Sequence, residues 1–123
     1  MRLDEDCVRD VLLVTEKYSS FAYPVNEETY FKELENKYTQ QKVLYHIRQC
    51  AWSKLLIGYK ELDAGIEVAD LSPGGHNFLS DTRRDTNWNR TKEIARNAGS
   101  TSIGTLKDIA SQVIAELISN QFK

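Results

Sequence analysis

The chain has 123 residues, of which 41% are hydrophobic and 28% charged, and its formal net charge is −2. This composition is typical of one soluble globular domain and excludes a disordered chain, because enough apolar side chains are present to form a core. No apolar run reaches membrane-spanning length, and the acidic start "MRLDEDCVRD" is unlike a secretion signal. We therefore expect a cytoplasmic protein whose two cysteines, Cys7 and Cys50, are buried thiols.

Charge is distributed unevenly along the sequence, although the net charge is small. Residues 1–36 carry four basic and nine acidic side chains, and residues 61–76 carry four acidic side chains and neither lysine nor arginine. Residues 37–60 carry five basic side chains and no acidic one. A local excess of one sign can mark a surface that faces anions, so this basic segment is a candidate for contact with nucleic acid.

The first half of the sequence predicts three helices. Apolar residues recur at spacings of three and four from Leu3 to Tyr18, which predicts the first helix. Pro24 interrupts the following segment and favours a short strand over residues 21–25. Asn26 is expected to cap a second helix, and Thr39 is expected to cap a third with the sequence "QQKVLYHIRQCAWSK".

The second half predicts a hairpin and two further helices. The segments "LLIGYKEL" and "IEVADL" indicate two strands joined at Gly65, which tolerates the positive φ of a tight turn. A polar helix is expected over residues 75–97, with Trp88 in the core, and a last helix over residues 103–121. Together the elements predict a mainly α protein with a small β-hairpin.

The stretch "LSPGGHNFL", residues 71–79, admits two interpretations. Two adjacent glycines could form a phosphate-binding loop, but such a loop is followed by lysine and then serine or threonine, which are absent. Ser72 can instead cap a helix whose first residue is Pro73. We therefore interpret the glycines as a corner between a strand and a helix.

The order of these elements resembles the layout of a winged helix-turn-helix. Within the third predicted helix, "VLYHIRQCAWSKLL" resembles the recognition helix of bacterial winged-helix repressors, with Val43, the pair His46 and Ile47, and Cys50 at matching apolar and histidine positions. Lys54 stands where those repressors have glycine. The resemblance implies a winged helix-turn-helix core over residues 1–74, followed by a C-terminal helical extension over residues 75–123 in the same compact domain.

A second resemblance covers nearly the whole chain. The segments "DCVRDVLL" near the start and "GHNFL" after the hairpin, with a tryptophan followed by "TK", resemble an uncharacterised family of small bacterial and prophage proteins. This resemblance implies a winged-helix-like core and an origin in a mobile genetic element. It implies no particular activity.

The polar face of the third predicted helix is the strongest candidate for a binding site. Glutamine and lysine at the start of a recognition helix can contact adenine and guanine in the major groove. We expect double-stranded DNA or a partner protein to contact eight residues: Thr39, Gln40, Gln41, Lys42, Tyr45, His46, Gln49 and Lys60. Four acids of the hairpin would repel phosphates, which favours a protein partner: Glu61, Asp63, Glu67 and Asp70.

Two functions remain open from the sequence. The first is a winged-helix DNA-binding regulator of a mobile genetic element of the prophage type. The second is a prophage-encoded protein-binding module, such as an antirepressor or an inhibitor of host defence. Catalytic signatures are missing from the sequence, so we expect no enzyme and no cofactor. His46 and Cys50 have the spacing of two metal ligands on one helix, but no further ligand pair accompanies them, and we expect no metal site.

The last predicted helix carries apolar residues at spacings of three and four, as coiled-coil helices do. We expect a homodimer whose interface contains Leu106, Ile109, Val113 and Leu117. The alternative is that this apolar face packs against other helices of the same chain. Binding to a membrane surface is disfavoured, because the polar face lacks the lysines and arginines that anionic lipids attract.

Overall fold

The computed structural model, which describes residues 1–100 and 102–122, contains six helices and two small antiparallel sheets. The helices are α1 (Glu5–Tyr18), α2 (Glu27–Leu34), α3 (Gln40–Trp52), α4 (Pro73–Thr82), α5 (Asp85–Ala98) and α6 (Ile103–Gln121). The strands are β1 (Val25–Asn26), β2 (Leu56–Ile57), β3 (Lys60–Leu62), β4 (Gly65–Val68) and β5 (Asp70–Leu71). The prediction of a mainly helical protein with a small β-structure is confirmed.

The predicted hairpin is present, but each of its arms is divided into two strands. β3 and β4 form the hairpin, and β1 pairs with the other side of β4, so the strand order is β1-β4-β3. β2 and β5 pair separately at the base of the hairpin. The division falls at Gly58, whose φ of 66° is unfavourable for other residues and whose α-carbon lies against Ala69.

Side chains that precede five of the six helices accept hydrogen bonds from the first free backbone N–H groups, and α5 has no such cap. Asn26 accepts from Thr29, Thr39 accepts from Lys42, and Ser72 accepts from Gly75. The three caps predicted from the sequence are therefore confirmed. Asp4 and Ser102 play the same role at the starts of α1 and α6.

The prediction of one helix over residues 75–97 is wrong, because α4 ends at Thr82 and α5 begins at Asp85. No glycine or proline marks this break in the sequence. The Arg9 side chain of α1 reaches the break, where its Nη2 donates to the carbonyl oxygens of Thr82 and Arg83 at 2.9 and 3.1 Å. These bonds satisfy carbonyl groups that a continuous helix would have paired internally.

The corner interpretation of residues 71–79 is confirmed. Pro73 occupies the first turn of α4, and the Ser72 hydroxyl donates to the carbonyl oxygen of Lys54 while it accepts from the N–H of Gly75. A β-carbon at Gly75 would overlap the carbonyl oxygen of Leu55. The glycine therefore allows α4 to begin directly against the segment that leaves α3.

The core contains side chains from all six helices, and it includes the two cysteines and Trp88 as predicted. Three residues assigned to a dimer interface, Leu106, Ile109 and Val113, are buried in this core, so that part of the prediction is wrong. They are covered within the chain because the first half of α6 packs on α4 and α5. Leu117, the fourth residue of that set, is 45% exposed.

Among the described residues, no helix is both long enough and apolar enough to cross a membrane.

Gly75 and its neighbour Gly74 provide a matched pair for testing the corner. Replacing Gly75 with alanine should destabilise the fold by about 1–3 kcal/mol, because the added methyl group displaces the backbone of Leu55. Gly74→Ala is the control, since a β-carbon there would lie at ordinary distances of 3.5 Å or more from its neighbours. Urea unfolding of both variants measures the difference. Equal stability of the two variants would contradict the proposed close contact.

Lys54 is the one described non-glycine residue with a positive φ, 63°. A side chain in this conformation is strained, whereas glycine adopts it freely. Lys54→Gly should therefore raise the free energy of unfolding by about 0.5–1 kcal/mol, after allowance for the greater entropy of glycine in the unfolded chain. Lys54→Ala removes the charge and keeps the strain, so it should give no such gain in thermal unfolding.

Candidate functional site

The exposed face of α3 carries most of the residues predicted to bind DNA or a protein. Thr39, Gln40 and Gln41 are exposed at the beginning of the helix, and Lys60 is exposed on β3. Lys42, Tyr45 and Gln49 are partly buried. His46 is fully buried, so the eight predicted residues do not form one continuous surface.

The assignment of His46 to the binding face is wrong. Its Nε2 accepts the backbone N–H of Asp4 at 2.8 Å, and its Nδ1 lies 2.7 Å from the carbonyl oxygen of Lys42. The first bond requires Nε2 to be unprotonated, so Nδ1 carries the proton and donates to Lys42. Burial lowers the pKa of His46 from its ordinary value, which keeps the ring neutral.

Lys42, like His46, connects α3 to Asp4 at the beginning of α1. Its Nζ lies 2.7 Å from Oδ2 of Asp4, and it lies 5.4 Å from the centre of the Tyr38 ring. Burial alone would raise the pKa of Asp4, but the bond from Lys42 and the N–H groups of Cys7 and Asp6 outweigh burial and lower it. Lys42 therefore holds α1 against α3, and it is poorly placed to contact DNA as a free cation.

Two further cations of the basic segment are also paired with acids from elsewhere in the chain. Nζ of Lys37 lies 3.4 Å from Oδ2 of Asp10 on α1, and Nη2 of Arg48 lies 2.8 Å from Oε1 of Glu61 on β3. Together with Lys42, three of the five basic residues thus have a carboxylate partner. The excess of positive charge along residues 37–60 is therefore largely neutralised in the folded protein.

The beginning of α6 borders one side of the α3 face. A cleft of about 400 Å³ separates them, and its lining residues are Leu3, Tyr45, Gln49, Ser53, Ser102, Ile103 and Gly104. Tyr45 and Gln49 therefore lie on the wall of a cleft and not on an open helix surface. This arrangement restricts access to the middle of α3, while Gln40 and Gln41 at its beginning stay exposed.

The end of α3 exposes an aromatic group that the sequence analysis did not select. Trp52 is 66% exposed, and the guanidinium carbon of Arg48 lies 5.5 Å from the centre of its ring. Arg48 donates through Nε and Nη2 to Glu61, which also accepts from the hydroxyl of Tyr59 at 2.6 Å. We call these four residues the α3–β3 surface. Trp52 lies eleven residues after Gln41, three helical turns further along the same face, and this spacing could have identified it.

The motifs that suggested a family resemblance meet in the structure between α1 and α5. Nε1 of Trp88 and Nζ of Lys92 each lie 2.9 Å from Oδ1 of Asp6, to which both donate. The guanidinium carbon of Arg9 lies 5.7 Å from the centre of the Trp88 ring, and Nζ of Lys92 lies 5.4 Å from it. A cleft of about 560 Å³ opens beside this network. The contacts account for the motifs as a junction between the first helix and the C-terminal helices.

The two thiols are buried, and the two histidines differ in exposure. Burial raises the pKa of Cys7 to about 12 and also raises that of Cys50, so both thiols are protonated at neutral pH. His76 is exposed on α4, whereas Cys7 is buried. Within residues 1–100 and 102–122, no group of three or more histidine, cysteine or acidic side chains could hold a metal ion.

Residues 2–101 match the family model described as hypothetical protein (DUF2513). The chain belongs to this family. The match covers the elements from α1 to α5 and ends before α6. No curated protein and no solved structure matches the chain.

The buried His46 should make stability depend on pH. Because its pKa is lowered in the folded protein, the unfolded chain binds the additional proton first as pH falls below about 6.5. The contribution of the neutral His46 to the free energy of unfolding is therefore fully present above this pH. It is lost as pH falls toward the lower pKa of the folded state, by at most about 1.4 kcal/mol per pH unit.

The variant His46→Gln should flatten this dependence in unfolding measurements between about pH 7.5 and 5.5. His76→Gln is the control, because His76 is the other histidine of the chain and is exposed. It should retain the slope of the native protein. An unchanged slope in His46→Gln would show that the pH dependence arises elsewhere.

Proposed function

We propose that the protein is a protein-binding module, and that the α3–β3 surface forms its main contact with the partner. The observation that carries this proposal is the exposed Trp52, which lies against Arg48. Arg48 in turn binds Glu61, which also accepts from Tyr59. Tryptophan, tyrosine and arginine are the residues that contribute most to binding energy in protein interfaces. Ile57 and Leu62, on the strands adjoining this surface, are about half exposed and add apolar area.

The scaffold is proposed to be a winged helix-turn-helix. The element order from α1 to β4 supports this assignment, because a helix, a strand, two helices and a hairpin follow one another. The pairing of β1 with β4 adds a third strand to the hairpin, as this layout requires. In this scaffold α3 occupies the position of the recognition helix, so its exposed face is the part of the molecule from which a contact with another macromolecule is expected.

Electrostatics favour a protein over DNA as the occupant of this face. DNA-binding surfaces derive much of their affinity from cations that replace counterions along the phosphate backbone. Here Lys37, Lys42 and Arg48 are paired with carboxylates of the same chain. The hairpin adds Asp63 and Glu67, which would repel phosphates.

A DNA-binding regulator of a mobile genetic element is the second candidate. Gln40 and Gln41 favour it, because both are exposed in the first turn of α3, where a glutamine side chain can reach the edge of an adenine base. The mobile-element origin rests on the resemblance to prophage proteins, and it applies to both candidates. For the protein-binding candidate, the same origin favours an antirepressor or an inhibitor of host defence.

A photo-crosslinking experiment in the organism's own cells separates the two candidates. We would replace Leu62, which adjoins the α3–β3 surface and is half exposed, with a photo-reactive phenylalanine derivative, irradiate the cells, and digest the adduct with protease or nuclease. The α3–β3 surface predicts a discrete adduct that contains a second protein, and Arg48→Ala in the same chain should weaken it. An adduct that nuclease removes would support the DNA-binding candidate.

The control carries the same photo-reactive group at Asn97, which is exposed on α5. The absence of an adduct at position 62, or adducts of the same pattern at both positions, would contradict the proposed surface. A DNA adduct should be confirmed by mobility shifts on the upstream region of the gene at two salt concentrations, since affinity falls steeply with salt when phosphates are contacted.

A further inference from the structure

Apolar side chains continue along the second half of α6, where the described residues cover them only in part. Leu106, Ile109 and Val113 pack in the core, whereas Leu117, Ile118 and Phe122 are 45%, 51% and 85% exposed. The three exposed residues follow Ile114 at spacings that keep them on one side of the helix. We call these four residues, at positions 114, 117, 118 and 122, the α6 stripe.

A groove lies directly beside the α6 stripe. It measures about 280 Å³ and is lined by the beginning of α5 and by α6: Thr86, Asn87, Arg90, Val113, Glu116, Leu117 and Asn120. Its walls carry one basic and one acidic side chain, Arg90 and Glu116, and otherwise uncharged groups. A ridge of apolar side chains and a groove with mostly polar walls therefore lie next to each other on the same face, and Val113 and Leu117 form the apolar part of the groove.

We propose that the occupant of this face is a second copy of the chain, related to the first by a two-fold axis. In such a pair the α6 stripe of each copy enters the groove of the other. The groove carries charges of both signs, so a two-fold axis allows two equivalent ion pairs between copies, each between Arg90 of one copy and Glu116 of the other. Within its own chain Arg90 has only a long, exposed contact with Glu93, at 3.9 Å, which such a pair can replace at little cost. Uncharged polar residues otherwise flank the stripe, so two copies can approach without repulsion between like charges.

The surface area that this interface would bury is small, as in a dimer that dissociates reversibly. Three exposed apolar side chains and the adjoining groove provide roughly 500 Å² per copy, and so about 1,000 Å² in total, at the lower limit of specific interfaces. We therefore expect dissociation in the micromolar range. This interface replaces the one expected from the sequence, and it does not depend on the function of the α3–β3 surface.

Sedimentation velocity over a concentration series tests the proposal. The intact protein should convert from monomer to dimer as its concentration rises to the order of 100 μM. The double variant Leu117→Asp with Ile118→Asp should associate at least tenfold more weakly and keep the fold, since both side chains are already exposed. The matched control is Gln112→Asp with Ser119→Asp, which adds the same charge on the opposite side of α6 and should leave association unchanged.

Charge reversal tests the two-fold arrangement itself. Arg90→Glu and Glu116→Arg should each weaken association by several fold, because each brings like charges together across the axis. A mixture of the two single variants should form heterodimers, since both contacts are then between opposite charges. A monomeric intact protein at the highest concentration would overturn the proposal. Dimers that persist in the Leu117 and Ile118 double variant, or mixed variants that stay apart, would overturn this interface.

Discussion

Asp4 holds the beginning of α1 against α3, and the orientation of the helix with the candidate binding face depends on it. Its carboxylate accepts from the N–H groups of Asp6 and Cys7, and it pairs with Lys42. Its backbone N–H donates to His46. Each of these groups is at least partly buried, so the loss of one partner would leave another without a hydrogen bond, at a cost of about 1–3 kcal/mol. The junction therefore selects one rotation of α3 about its axis, with Gln41 and Arg48 outside and Val43 and Ile47 inside.

The same use of charged groups inside the chain explains why the basic segment does not become a basic surface. Acids from α1 and β3 lie within reach of three cations in residues 37–60, and these acids come from the segments that looked most acidic in the sequence. Local charge along a sequence describes a surface only when the segments stay apart in the fold. Here they pack together, because α1 lies against α3 and the hairpin lies beside its end, so opposite charges meet. The net charge of −2 is a better guide to the surface than the run of five cations.

Features encoded within a few residues could be predicted from the sequence, whereas features that depend on distant partners could not. The caps at Asn26 and Thr39 and the bounds of α6 follow from local hydrogen bonding and periodicity. The buried His46 accepts a hydrogen bond from the backbone N–H of Asp4, which is 42 residues away in the sequence. The carbonyl groups at the end of α4 accept from the guanidinium of Arg9, which is 73 residues from Thr82. Periodicity likewise identified the apolar face of α6 but could not identify which neighbour covers it, because an apolar stripe contains no information about its partner.

The internal pairing of charge also determines what kind of recognition the face of α3 can support. Since Arg48 is already bound to Glu61, a partner gains little from offering one more carboxylate to it. Such an exposed pair contributes little to stability, so a partner can replace Glu61 without a large penalty, but the exchange is nearly neutral. Affinity must then come from covering Trp52, whose ring Arg48 already orients through its contact with the aromatic face. Binding of this kind depends on the burial of apolar surface and only weakly on salt, which is the physical property that distinguishes a protein contact at this face from a contact with DNA.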